Sequence, residues 1–268
     1  RFAVKTESCV LANNSQEVWQ RARHAELAGP DSWLGLLGLF WLEDTVNKVG
    51  SGDDCVVRLP TAPSHLGDLI LCDGTVLWQL VDGKAQALDT DRDGKATTVD
   101  HENLSFFIVD RDGRFAARVR DRAWARHRSF SGVACFPESP EWIIEAAWLP
   151  LEPPLTMAVP NVTGDLKTVS VAFKAVFTVD GQVVELLPMS VGEQEVFFVF
   201  RDRTSGPQTY GAGRFLKTGP AVDGKICLNF NRAFNPPCAF TPFATCPLPP
   251  PENWLPFAVE AGEKRWSE

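Results

Sequence analysis

The chain has 268 residues, 44% of them hydrophobic and 22% charged, the make-up of a water-soluble globule with enough apolar surface to build a core. Its 34 acidic and 26 basic side chains leave a formal charge of −8, which repels polyanions and excludes a nucleic-acid backbone or an anionic membrane as the principal partner. No apolar run approaches the roughly 20 residues that cross a bilayer.

The first predicted element is a helix in "NNSQEVWQRARHAELAG", with Ser15 as its N-cap, Val18, Ala22 and Leu27 on one face, and Gly29-Pro30 as its stop. "DSWLGLLGLFWLED" follows, apolar almost all round; a short buried helix and a buried strand both fit it. Residues 1–50 are therefore read as an N-terminal helical segment. From about residue 55 the pattern changes to short runs rich in Val, Ile, Phe and Trp, such as "GDLILC", "TVLWQLV", "LSFFIVD", "FSGVACF" and "EVFFVFRD". Asp-Gly pairs punctuate them at Asp73-Gly74, Asp82-Gly83, Asp93-Gly94, Asp112-Gly113, Asp180-Gly181 and Asp223-Gly224, supplying the positive φ that tight hairpins need.

An antiparallel meander over residues 51–230, closed or nearly closed into a β-barrel, would remove exposed strand edges. The expected fold is thus mostly β, a single domain over residues 1–268. The proline-rich "NPPCAFTPFATCPLPPPENWLP" lacks the amide donors of a central strand or helix, so residues 231–268 are expected to form an extended strap over one barrel mouth.

Seven scattered cysteines fit reduced, mostly buried thiols of a cytoplasmic protein better than a disulfide framework. The opening "RFAVKTESCV" lacks the apolar centre of a secretory signal, although sequons at Asn13, Asn103 and Asn161 leave secretion open. "DTDRDGKATTVD" (89–100) has the acidic spacing of a calcium loop, but strands flank it and a hairpin loop is expected. Cys238 and Cys246 lack zinc-site spacing and read as structural thiols, so no metal is assigned. No nucleophile elbow, H-E-x-x-H or dinucleotide glycine pattern is present, and no cofactor is expected.

Two stretches bear polar groups inside apolar strands: "FRDRTSGPQTYGAGRFL" (200–216), which holds the single tyrosine, and "NFNRAFNPPC" (229–238). An arginine in such a strand must face solvent, pair with a carboxylate or bind a ligand anion. One reading is a buried network that staples the strap. The other is a ligand pocket, with Tyr210 as proton donor, Arg214 as electrostatic clamp and Asp202 as base or orienter. Asn231, Arg232, Asn235, Thr204, Thr209, Glu260 and Arg118 would contact the ligand.

These motifs, with "WLGLLGLFWLED", "RFAARVRD" and "FSGVACFP", resemble a microbial family catalogued as domain of unknown function 1684, from about residue 17 to 264. The resemblance implies a compact, mostly β, soluble protein and no particular reaction. The family usually has D-F-N where this chain has Asn229-Phe230-Asn231, and an arginine where it has Ile143, as if a charge pair had been neutralised together. The expected function is cofactor-independent acid/base chemistry on a small organic molecule bearing an anionic or carbonyl group, of the isomerase, dehydratase, cyclase or hydrolase kind. The alternative is a non-catalytic barrel that carries an apolar small molecule.

Overall fold

The structure, a computed structural model, describes residues 9, 15–92, 94–164 and 166–267. The Asn13 sequon, Asp93 of the calcium-like loop and nearly all of the opening segment lie outside the described residues. The described residues are mostly β, with a single long helix, and divide into two compact units: 1–25 with 132–268, and 26–131.

The helix, α1 (Gln16–Ala28), starts where expected: the Ser15 hydroxyl accepts from the Val18 amide at 3.3 Å. Its inward face differs from the expected one. Val18 and Ala22 are exposed, whereas Gln16 and Leu27 are buried and Arg23 and His24 half-buried. The helix docks through polar bonds as much as through apolar packing, which a count of hydrophobic positions overlooks. Gln16 Nε2 donates to the Asn231 carbonyl at 2.6 Å, and His24 Nε2 accepts from the Val133 amide at 3.1 Å.

In the 26–131 unit, "WLG" (33–35) makes one 3-10 turn capped by Ser32, and the following residues are strand, so the N-terminal segment is not helical to residue 50. The strands are β1 (Leu36–Trp41), β2 (Val46–Gly50), β3 (Val57–Arg58), β4 (Gly67–Cys72), β5 (Thr75–Leu80), β6 (Gln86–Leu88), β7 (Thr98–His101), β8 (Leu104–Arg111) and β9 (Arg114–Asp121). They form two open sheets, ordered β3-β2-β4-β5-β6 and β1-β9-β8-β7. The calcium-like stretch is not a hairpin loop, because β6 pairs with β5 and β7 pairs with β8 in the other sheet. Both Asp91 oxygens there are occupied by Arg111, at 2.9 and 2.8 Å. The core of this unit gathers Val49, Leu69, Trp78, Phe106, Ile108 and Val119, with Trp78 edge-on to Phe106 at 5.2 Å.

The second set of strands is β10 (Ile143–Pro160), β11 (Leu166–Val179), β12 (Gln182–Leu186), β13 (Ser190–Val191), β14 (Val196–Phe200), β15 (Arg214–Thr218) and β16 (Lys225–Asn229). Their sheets run β12-β11-β10-β16 and β13-β14-β15. "EWIIEAAWL" and "LTMAVP", expected as separate strands, are one long β10 whose register shifts between Pro150 and Leu155, where prolines withhold amide donors. "FSGVACF" is not a strand; Cys135 makes only an isolated bridge to Glu263. A core of Phe177, Phe198, Phe200, Leu216, Leu228 and Phe230 fills this unit, with Phe230 edge-on to Phe200 at 5.3 Å.

No closed barrel forms among the described residues. The strands make four open sheets, and non-sequential pairs such as β10 with β16 and β1 with β9 replace the meander. The hairpin chemistry holds locally: Asp73-Gly74, Asp112-Gly113, Asp180-Gly181 and Asp223-Gly224 all have positive φ at both residues.

The proline-rich segment forms no sheet strand, is broken by 3-10 turns at Pro237–Ala239 and Pro251–Asn253, and is fastened by hydrogen bonds. Arg201 donates its amide to the Asn253 carbonyl at 3.0 Å and accepts from the Leu255 amide at 2.7 Å, and the fully buried Asn253 side chain bonds Leu187 N, Leu187 O and Val199 O, each at 2.8 Å. Three of the seven cysteines depart from expectation, two of them because Cys9 and Cys227 form a disulfide across 218 residues of sequence. Cys72 is exposed rather than buried. No helix among the described residues is long and apolar enough to cross a membrane.

Candidate functional site

Asp202 lies just past the end of β14, and Arg214 opens β15, paired in register with Phe200. The loop between them turns back on itself, so a separation of 12 residues becomes an ion pair of 2.9 Å with both side chains fully buried. Asp202 Oδ1 collects the Thr204 amide at 2.7 Å, the Thr204 hydroxyl at 2.6 Å and the Val259 amide at 3.2 Å. Thr209 extends the chain, its hydroxyl 2.9 Å from that of Thr204.

Arg214 Nη2 also donates to the Val259 carbonyl at 2.9 Å, and Nη1 donates to the Ala261 carbonyl. The guanidinium stacks 5.2 Å over Phe200. Burial pulls its proton affinity below the usual arginine value, while Asp202 acts in the opposite direction. Gly213 permits this approach: at φ +101° it takes a left-handed conformation, and a Cβ there would stand 2.5 Å from the Phe200 carbonyl.

These four residues, Asp202, Thr204, Thr209 and Arg214, form a sealed latch that clamps residues 259–263. The structure brings these four together and withdraws them from solvent, with Tyr210 outside the group. A buried guanidinium whose donors go to a carboxylate and backbone carbonyls is the stapling arrangement, and its clamp role toward a ligand is corrected accordingly.

A second buried cluster lies further along the strap. Glu263 accepts from Arg23 Nε at 3.1 Å and from the Asn235 amide at 2.7 Å. Burial raises the Glu263 carboxyl above its ordinary value despite the Arg23 charge beside it. Asn235 donates to the Lys264 carbonyl at 2.8 Å, and Asn231 exchanges bonds with the Ser139 backbone at 2.9 and 2.8 Å. Both asparagines are fastened to backbone. Glu260 is exposed and joins neither cluster; Glu263 holds the buried place instead. Sequence reading passed over Arg23, Asn253 and His24, although a polar residue on the inward stripe of a short amphipathic helix marks two of them.

Tyr210 stands apart from the latch chemistry. It is half-buried, its phenol donates to the Cys238 carbonyl at 3.0 Å, and burial together with Cys238 raises its proton affinity. Lowering by a neighbouring arginine does not occur. Arg118 belongs to the 26–131 unit, buried with its guanidinium 5.3 Å from Trp33 and 5.7 Å from Phe107.

Arg232 takes a different position. It lines a cleft of about 610 Å³ with Asn229, Lys217, Lys225, Glu145 and Glu195, and the Cys9–Cys227 disulfide forms part of the wall. Two ion pairs hold the cleft side chains, Lys217 with Glu195 at 3.0 Å and Lys225 with Glu145 at 2.6 Å. Partial burial lowers the Arg232 proton affinity, opposed by Glu138. Asn229 faces Ile143 across the β10–β16 ladder, so the two are direct cross-strand partners.

The fold and its latch define a mostly β protein whose C-terminal strap is clamped by buried charge. The family described as "Protein of unknown function (DUF1684)" matches residues 128–264, and the chain belongs to that family. The match takes in the latch, Tyr210 and the strap; "WLGLLGLFWLED" and Arg118 lie outside it. The chain is also similar to the solution NMR structure of an uncharacterized protein of Haloarcula marismortui, with 34% identity over 50% of this chain and 77% of that one and a TM-score of 0.41. No curated protein matches.

Proposed function

We propose that the protein binds a small organic molecule bearing an anionic or carbonyl oxygen in the cleft beside β15 and β16, with Arg232 as its anchor. The observation that carries this is the cleft itself: about 610 Å³, within the range of small-molecule sites, with a guanidinium, two ammonium groups and a buried amide on its walls. An arginine is suited to orienting a carboxylate or phosphate through paired donors. Binding is favoured over acid/base turnover by Tyr210, Arg214 and Asp202, because the last two have no exposed atoms with which to meet a substrate. Carriage of a purely apolar molecule is disfavoured by six charged residues on the cleft wall.

The test is calorimetric titration of the protein with inorganic phosphate, succinate and citrate, repeated on Arg232→Met. A charge-assisted hydrogen bond contributes about 1.5–3 kcal/mol, so the substitution should weaken binding about 10- to 100-fold. Binding that Arg232→Met leaves unchanged, or no binding by any of the three anions, would overturn the assignment.

A further inference from the structure

Three groups with chemistry of their own meet outside the cleft and the latch. Cys238 is half-buried at the start of the strap, Cys246 is buried eight residues on, and neither is in a disulfide. The Cys238 amide donates to Cys246 Sγ at 3.2 Å, and Tyr210 Oη lies 3.0 Å from the Cys238 carbonyl. Asp202, Thr204, Thr209 and Arg214 of the 200–216 loop bond within the latch. The single phenol of the chain is instead placed against a cysteine.

We propose that Cys238 and Cys246 are a redox-active dithiol, in which Cys238 attacks a small organic hydroperoxide and Cys246 then closes a disulfide with it. Cys238 and Tyr210 line a depression of about 490 Å³ whose other walls include Val162, Phe240, Thr163 and Thr241. That wall admits a small, partly apolar molecule, and of the two cysteines Cys238 is the one that lines it. Cys246 does not line the depression, as befits a group that acts after the first step.

The placement supports both steps. A cysteine reacts as its thiolate, and hydrogen bonds to the sulfur favour that form. Cys246 and Tyr210 both pull the Cys238 thiol below its ordinary value, against the effect of burial. Cys135 is pushed up to about 11 by burial and by the neighbouring Glu263 carboxylate. The Cys246 sulfur accepts from the Cys238 amide at 3.2 Å, which sets it directly against the residue whose thiol it would join.

In the first step the Cys238 thiolate sulfur bonds to the terminal peroxide oxygen and the O–O bond breaks. The other oxygen leaves as alkoxide and takes up a proton to become an alcohol, while Cys238 becomes a sulfenic acid. In the second, Cys246 sulfur attacks the Cys238 sulfur, the S–O bond breaks and water departs with the thiol proton. The hydroperoxide is reduced by two electrons, the two thiols are oxidised to one disulfide, and an external dithiol returns them by exchange. Tyr210 is a positioning residue here: its phenol donates to the Cys238 carbonyl and holds that backbone beside the depression.

The test uses the full chain carrying Cys72→Ser, which removes the exposed thiol. It is treated with one equivalent of tert-butyl hydroperoxide or hydrogen peroxide, quenched with iodoacetamide and mapped by mass spectrometry without reduction. The expected product is a Cys238–Cys246 linked peptide, formed at least roughly 10-fold faster than Cys135 is oxidised. Dithiothreitol should restore both thiols. Cys246→Ser should stop at a sulfenic acid on Cys238 that dimedone captures, and Tyr210→Phe should slow the loss of the Cys238 thiol and shift its pH profile upward. Absence of the linked peptide, oxidation of Cys238 no faster than Cys135, or no dimedone adduct in a folded Cys246→Ser protein overturns the proposal. The first two readouts need no site variant, so a misfolded substitution does not shelter it.

Discussion

Replacing Asp202 by Asn tests the latch most directly. The exchange keeps the shape of the side chain and removes its charge, leaving a fully buried guanidinium without its paired carboxylate. An amide also has one oxygen where the carboxylate has two. If that oxygen keeps the Thr204 and Val259 donors, the NH2 group faces Arg214 Nη2, donor against donor. If it turns toward Arg214, the same clash falls on the amides of Thr204 and Val259. Breaking a buried pair from one side costs about 3–5 kcal/mol, a large share of the roughly 5–15 kcal/mol that holds a domain folded. For a chain of this size, that loss lowers the melting temperature by roughly 6–20 °C. Urea unfolding followed by tryptophan fluorescence reads the free energy, and limited proteolysis should show residues 259–267 released first. Adding Arg214→Met should cost less than the two single losses summed, with a coupling of about 1 kcal/mol or more, because the stranded charge has gone. A loss below about 1 kcal/mol in the single variant would refute the account of the latch.

The remaining predictions are narrower. Tyr210 is the single tyrosine, so the ultraviolet phenolate signal reports on it alone; its raised proton affinity predicts no titration in the folded protein at about pH 10–11, whereas the urea-unfolded chain titrates near pH 10. A folded-state midpoint at or below 10 would contradict the environment described. Glu263 holds its proton more tightly folded than unfolded, so its contribution to stability is greatest below about 4.5 and falls as pH rises through the window above that value. Glu263→Gln should therefore flatten the decline of stability between about pH 4.5 and neutrality, and an unchanged slope counts against the burial argument. Asn229→Asp with Ile143→Arg places opposite charges on directly facing residues of β10 and β16; the double variant should be more stable than the sum of its singles by about 0.2–1 kcal/mol, and strict additivity would remove the coupling.

Much of the local structure was legible in the residues. Ser15 caps its helix, four Asp-Gly pairs turn their hairpins, and the prolines after Asn235 keep the strap out of the sheets, because each depends on the backbone preferences of a few neighbours. The location of a polar cluster in residues 200–235 was legible for the same reason: charge inside an apolar strand needs a partner.

Which partner was not legible. The choice between a ligand clamp and a structural staple turned on carbonyls of Val259 and Ala261, 45 and 47 residues beyond Arg214, and no spacing rule relates them. Sheet order escaped in the same way, since β10 finds β16 across more than 60 intervening residues while hairpin chemistry speaks only for adjacent strands. So did the Cys9–Cys227 bond and the meeting of Tyr210 with Cys238. From its own letters the chain determines where strands begin, turn and stop, because those energies are local. Its tertiary structure decides which charges are sealed and which reach a cleft, because burial is a property of everything packed around a side chain.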